Sequence, residues 1–212
     1  MIYLLAGHHN FDPGASGKRH VLVGLPQYPY IRVDTELVNE STLTKELRNL
    51  TVQKLALSQF QARKATVAID DDNDSLRRVI KKIKSTQDDV VCELHFNSGN
   101  RTDSGVLAIH PEKATEKELE LAQNIADTLS SIMGLRKVPG AKPGQPAGMW
   151  SERETRHKTL GIMRPKGTNV LVEVCYLSNP FDIARYDLHK EDVALALADL
   201  LTRADGVDGM SP

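Results

Sequence analysis

Apolar positions along the chain fall into two alternating patterns. Short runs rich in β-branched residues occur at 2–6 (IYLLA), 65–69 (ATVAI), 89–94 (DVVCEL), 105–110 (GVLAIH) and 169–177 (NVLVEVCYL). Runs of this length and make-up predict strands. Between them, apolar residues recur at helical spacing. Leu43, Leu47, Leu50 and Leu57 share a face over 40–57, and Leu119, Ala122, Ala126, Leu129 and Met133 share one over 116–133. Val193, Leu197 and Leu200 do the same over 190–203. Strands alternating with amphipathic helices predict an α/β fold, a single layered domain with a largely parallel twisted sheet flanked by helices on both faces. Near-continuous apolar strands suit a sheet covered on both sides. The domain is expected to fill residues 1–204, leaving 205–212 as a flexible tail.

Three other stretches interrupt the pattern. RRVIKKIK (77–84) is basic, but Leu76, Val79, Ile80 and Ile83 make the apolar stripe of a helix, so its charges are read as a solvated face. DDDND (70–74) carries alternating aspartates, yet a calcium loop fails because Ser75 and Lys81 stand where glycine and glutamate are needed. Asp74 is instead expected to cap the basic helix. KVPGAKPGQPAGMW (137–150) reads either as a substrate-lining loop or as a plain excursion.

At 212 residues, with 40% apolar and 26% charged residues and a formal net charge of -1, the chain is large enough for a full core. Such a charge balance points to neither nucleic acid nor membrane surface as a partner. No run approaches the roughly 20 apolar residues of a membrane-spanning helix. MIYLLAG lacks the basic leader and apolar length of a signal peptide, so a soluble protein is expected. Cys92 and Cys175 lie in apolar strands and are read as buried free thiols.

Four polar residues stand where chemistry is done. His8 leaves the first strand, at the carboxyl edge where open α/β sheets gather ligands. His95 (CELHFNSG) ends a second strand, and Glu173 lies inside a third, where an unpaired carboxylate is costly. Glu40 opens a helix, a place that carboxylates favour for dipole reasons alone. Two imidazoles and a carboxylate form a set that holds catalytic zinc with a position left for water, and a further carboxylate can serve as general base.

Here the chain resembles the zinc-dependent N-acetylmuramoyl-L-alanine amidases of the amidase-3 type. The likeness rests on Gly7-His8 followed by Asp12-Pro13-Gly14-Ala15, on Glu40 heading NESTLTKELRNL, on His95-Phe96-Asn97, and on Leu171-Val172-Glu173 with Ser178-Asn179. It runs in order from residue 2 to about 203. His9 and Asn10 depart from the glycines common after the first histidine. The resemblance implies Zn2+ held by His8, Glu40 and His95, with Glu173 as the catalytic base. Glu36 competes for the second ligand role, and Glu40 is preferred because it directly precedes the leucine-spaced helix. His9 is expected to face solvent or to be hydrogen-bonded, Asn97 to support His95, and Arg164 either to meet a stem-peptide carboxylate or to be a surface residue.

The implied reaction is hydrolysis of the amide between N-acetylmuramic acid and L-alanine in peptidoglycan or muropeptides, during wall lysis or remodelling, as in a phage endolysin. It would act on the cell wall or on wall fragments. Two other readings remain open on the same residues: a zinc carboxypeptidase or aminoacylase on another peptide-like substrate, and a non-catalytic wall-binding module.

Overall fold

A computed structural model describes residues 1–8, 12–25, 28–57, 67–68 and 75–206, with the backbone course alone at 20–25, 28–36 and 67–68. His9, Asp74 and all but two residues of the expected tail lie outside the described residues or, for Glu36, have no described side chain. Strands β1 (Ile2–Ala6), β4 (Val67–Ala68), β5 (Val90–Asn97), β6 (Leu107–His110), β7 (Met149–Ser151) and β8 (Thr168–Tyr176) form one sheet in the order β4-β1-β5-β8-β6-β7. β4, β1, β5 and β8 run parallel, whereas β6 is antiparallel to β8 and β7 is parallel to β6. The carboxyl ends of β1, β5 and β8 therefore share one edge.

Alternation along the strands divides the core into two halves. Leu4, Cys92, Leu94, Phe96, Val170, Val172 and Val174 face helices α1 (Glu40–Leu57), α3 (Glu116–Met133) and α4 (Pro180–Ala204). Tyr3, Leu5, Val91 and Leu171 face the other way, onto Val79 of α2 (Leu76–Lys82), onto Ile83 just after it, and onto Ile162 and Met163 of a 3-10 turn. On that second face the side chains change character towards the carboxyl edge. Val91 and Leu171 are buried, while His95 and Glu173, further along the same strands, are partly exposed.

The helices start and stop where local chemistry requires. Asn39 accepts the amide of Thr42 at 3.0 Å and so caps α1. Thr115 and Glu118 form a reciprocal capping box at α3, which ends on Gly134 at φ 60. Helix α4 begins ten residues before the expected 190, capped by Asn179 with Pro180 in its first turn. Its early half is fixed by buried Asp182, which accepts the amides of Gly105 and Tyr176 at 3.0 Å each. Tyr186, fully buried, meets Phe96 edge to face with ring centroids 4.9 Å apart. The charged residues around Asp182 mask this half of the helix in the sequence.

Other expectations need correction. A hairpin of β2 (Ser16–Leu25) and β3 (Tyr28–Asn39), unmarked by any of the apolar runs above, stands between His8 and α1. It is tied down by Arg19, which donates from Nε to Asp187 at 2.9 Å and from Nη2 to Glu46 at 2.6 Å. Leu57 is 78% exposed at the end of α1, and Leu119 is 38% exposed because buried Leu121 and Ile125 centre the apolar stripe of α3. At the basic helix the N-cap position falls on Ser75, which makes no side-chain capping bond. Both cysteines are buried free thiols. Among the described residues no helix is long and apolar enough to cross a membrane.

Leu47 and Leu57 make a direct test of this packing. Leu47→Ala should cost about 2–5 kcal/mol in denaturant unfolding, whereas Leu57→Ala should change stability by less than about 0.5 kcal/mol.

Candidate active site

Glu40 is the convergence point. The first residue of α1, it is 4% exposed and points back to the strand edge. Its Oε1 lies 2.9 Å from Nδ1 of His95 and accepts the amide of Phe96 at 3.1 Å. Its Oε2 accepts the amide of Ala15 at 3.0 Å and lies 3.3 Å from Nε2 of His8. The backbone of the same helix start bonds the 12–15 turn, with Glu40 N to Ala15 O at 2.8 Å and Ser41 N to Pro13 O at 3.1 Å. Thr44 Oγ1 donates to Gly7 O at 2.8 Å, fixing the exit of β1.

That exit is tight. His8 adopts φ 64, an uncommon conformation for a residue with a side chain. Gly7 has no room for a Cβ, which would sit 2.3 Å from the His95 ring. Gly14, at φ +69, would bring a Cβ to 2.6 Å from both Glu40 Oε2 and His8 Cδ2. The two glycines are thus the space into which both imidazoles and the carboxylate fit.

Among the described residues, His8, Glu40 and His95 form the group whose ligand atoms lie within 4.8 Å of one another. The donor set fits a divalent metal on its own terms. His8 Nδ1 is buried without a hydrogen bond, with Asp12 Oδ2 3.2 Å away, and Nε2 is left to face Glu40. Two nitrogens and one carboxylate are the ligand types zinc takes at a site with an open position.

Glu173 stands beside this group. It pairs in register with His95 across the parallel β5–β8 ladder, about 4.8 Å being the usual strand spacing. Its buried Oε2 has no hydrogen-bond partner. Burial pushes its carboxyl up to about 7; the charge of His95 opposes this, while Glu40 and Glu93 add to it. Glu40 is held below its ordinary value because the bond and charge of His95 and the charge of His8 outweigh its burial. Burial works to lower His95, but bonds to Glu40 and Glu93 hold it well above the usual histidine value.

One sequence expectation changes here, and for Arg164 the surface reading holds. Asn97 does not support His95; its Oδ1 accepts the amide of Ser98 at 2.8 Å. Arg164 is exposed just before the start of β8, at the opposite end of that strand from Glu173. The 137–150 loop lies along β7, separated from β8 by β6, with Trp150 Nε1 donating to Pro139 O at 2.9 Å. Sequence reasoning missed Glu93, a buried carboxylate two residues before His95 on the same strand face. Its signal was a glutamate inside an otherwise apolar run.

The family model of N-acetylmuramoyl-L-alanine amidase, Amidase_3, matches residues 2–203, nearly the whole chain. The chain belongs to this family. Its reaction is that of an amidase on peptidoglycan, at the amide joining N-acetylmuramic acid to L-alanine. Comparison with curated proteins gives no match. Solved structures similar to the amidase include the N-acetylmuramoyl-L-alanine amidase of Clostridium difficile 630, 19% identical, TM-score 0.64, covering 99% of this chain and 97% of that one. Ami1 of Mycobacterium smegmatis is 20% identical, TM-score 0.60, covering 97% of each chain. The catalytic domain of the CD27L endolysin, which targets Clostridia difficile, is 17% identical, TM-score 0.56, covering 95% of this chain and 96% of that one. At such identities the likeness is one of fold.

Two measurements test this geometry. Gly14→Ala should leave the far-UV circular dichroism of the amidase unchanged but weaken Zn2+ binding about tenfold or more, a loss of the size caused by disturbing ligand orientation. Glu173 is a carboxyl with a folded pKa raised to about 7, so the folded protein binds more protons and loses stability as pH rises from the unfolded value through neutrality. Glu173→Gln should therefore raise the melting temperature of metal-free protein at pH 8, with the gain shrinking towards pH 5.

Proposed function

We propose that the amidase is a zinc hydrolase in which His8, Glu40 and His95 hold the ion and Glu173 is the general base. The observation that carries this reading is the meeting of His8 Nε2, Glu40 and His95 Nδ1 at one strand edge, with Glu173 next to His95 in register. A zinc ion held there supplies a Lewis acid for the scissile carbonyl and lowers the pKa of water from about 15.7 towards 7.

The remaining work falls to side chains of this chain. Glu173, with one oxygen unpartnered, takes the proton from the attacking water and returns it to the departing L-alanine nitrogen. A carboxyl raised towards neutrality suits both steps, since it must accept a proton and then release it. Glu40 carries the negative charge of the ligand set, and its amide bonds from Ala15 and Phe96 keep it from turning away. The products are a lactyl-bearing muramic acid and an intact stem peptide. The protein binds peptidoglycan or muropeptides as substrate, and its place of action is the cell wall or fragments of it. Residues 1–204 act as the catalytic domain.

Product analysis on purified sacculi tests the assignment. Glu173→Ala should keep about one zinc per chain while hydrolysis falls by about 100- to 10,000-fold, the usual range for a lost general base. His95→Ala should lose both zinc and activity, and chelation should abolish activity until Zn2+ is restored. Release of free terminal amino acids instead of whole stem peptides would favour a carboxypeptidase. Binding to sacculi without any product would favour a non-catalytic module.

A further inference from the structure

Glu93 has no role in the scheme above, yet its position is costly to maintain. It lies on β5 opposite Leu171, on the face where Val91 and Leu171 are apolar and buried, and it is itself 3% exposed. A carboxylate placed there needs a partner. Its Oε2 lies 3.5 Å from Nε2 of His95, while the other ring nitrogen, Nδ1, lies 2.9 Å from Glu40 Oε1. The imidazole is therefore held between two carboxylates, one at each nitrogen. Only one of them belongs to the group of converging ligand atoms, which contains Glu40 and not Glu93.

A neutral imidazole that gives one nitrogen to a metal carries its proton on the other. With Nδ1 turned towards Glu40, that proton belongs on Nε2, the nitrogen facing Glu93. We propose that Glu93 is a positioning residue of the metal centre: its carboxylate accepts the Nε2–H of His95 and so fixes the tautomer and ring plane that present Nδ1 to the ion. This rests on the reading of His8, Glu40 and His95 as ligands. Asp12 stands in a similar relation to His8, 3.2 Å from Nδ1, but its side chain is 59% exposed against 4% for that of Glu93. The contact at His95 is the one shielded from water, where a charge-assisted hydrogen bond is strongest.

The test measures zinc affinity by chelator competition on the full chain, for wild type, Glu93→Ala and Glu93→Gln. It also takes the imidazole nitrogen spectrum of the zinc-loaded wild type. Glu93→Ala should weaken zinc binding about 10- to 100-fold. Glu93→Gln, which keeps an acceptor oxygen, should recover part of the loss. The wild-type spectrum should show His95 protonated on Nε2, a signature that a merely structural carboxylate would not set. A folded Glu93→Ala protein that binds zinc within about twofold of wild type would overturn the proposal, as would a zinc-loaded His95 protonated on Nδ1. The spectrum decides the matter if the alanine variant does not fold. Wild type that binds no zinc would instead overturn the ligand reading, and this proposal with it.

Discussion

One buried carboxylate holds the site and much of the surrounding chain in place. Glu40 receives the amides of Ala15 and Phe96 and faces a nitrogen of each of His8 and His95. It joins the exit of β1, the start of α1 and the end of β5, three segments far apart in sequence. Its seat at a helix N-terminus adds the favourable end of the helix dipole. Remove the carboxylate, and two inward-pointing amides and two rings lose their common partner. Because a buried group without a partner is costly, this one side chain links local stability to chemistry.

The wider pocket shows the same economy of charge. Glu40, Glu93 and Glu173 crowd around two imidazoles, and burial, reinforced by the charges of Glu40 and Glu93, keeps Glu173 reluctant to ionise. A divalent cation offsets that excess of negative charge. Without one, His95 is drawn towards its protonated form by the carboxylates at its two nitrogens.

Much of this was legible in the sequence, for physical reasons. Strands buried on both faces are written as continuous apolar runs, so β1, β5 and β8 stood out. His8, Glu40 and His95 were visible because polar residues at strand ends and helix starts break those runs, and Glu173 because a carboxylate inside a buried strand is costly. The first half of α4 was not, since Asp182 is buried by bonding backbone amides rather than by being apolar. The β2–β3 hairpin lies outside the main sheet, and Arg32, Asp34 and Glu36 interrupt the apolar residues of β3. Asn97 misled because a motif position does not say which way a side chain turns, and this one turns to Ser98. Glu93 carries the same signal as Glu173, a carboxylate inside an apolar strand, but no motif around it names a role.

The hairpin acquires meaning from where it is inserted. His8 precedes it and Glu40 follows it, so the two residues that approach each other at 3.3 Å bracket a loop of about thirty residues. An ion shared by them would act as a cross-link across that loop, shrinking the unfolded ensemble as a disulfide does. Arg19 anchors the same hairpin to Asp187 and Glu46. If the centre takes an ion, loading it and fastening this flap would be coupled, and a chelator would slacken the hairpin as well as empty the site.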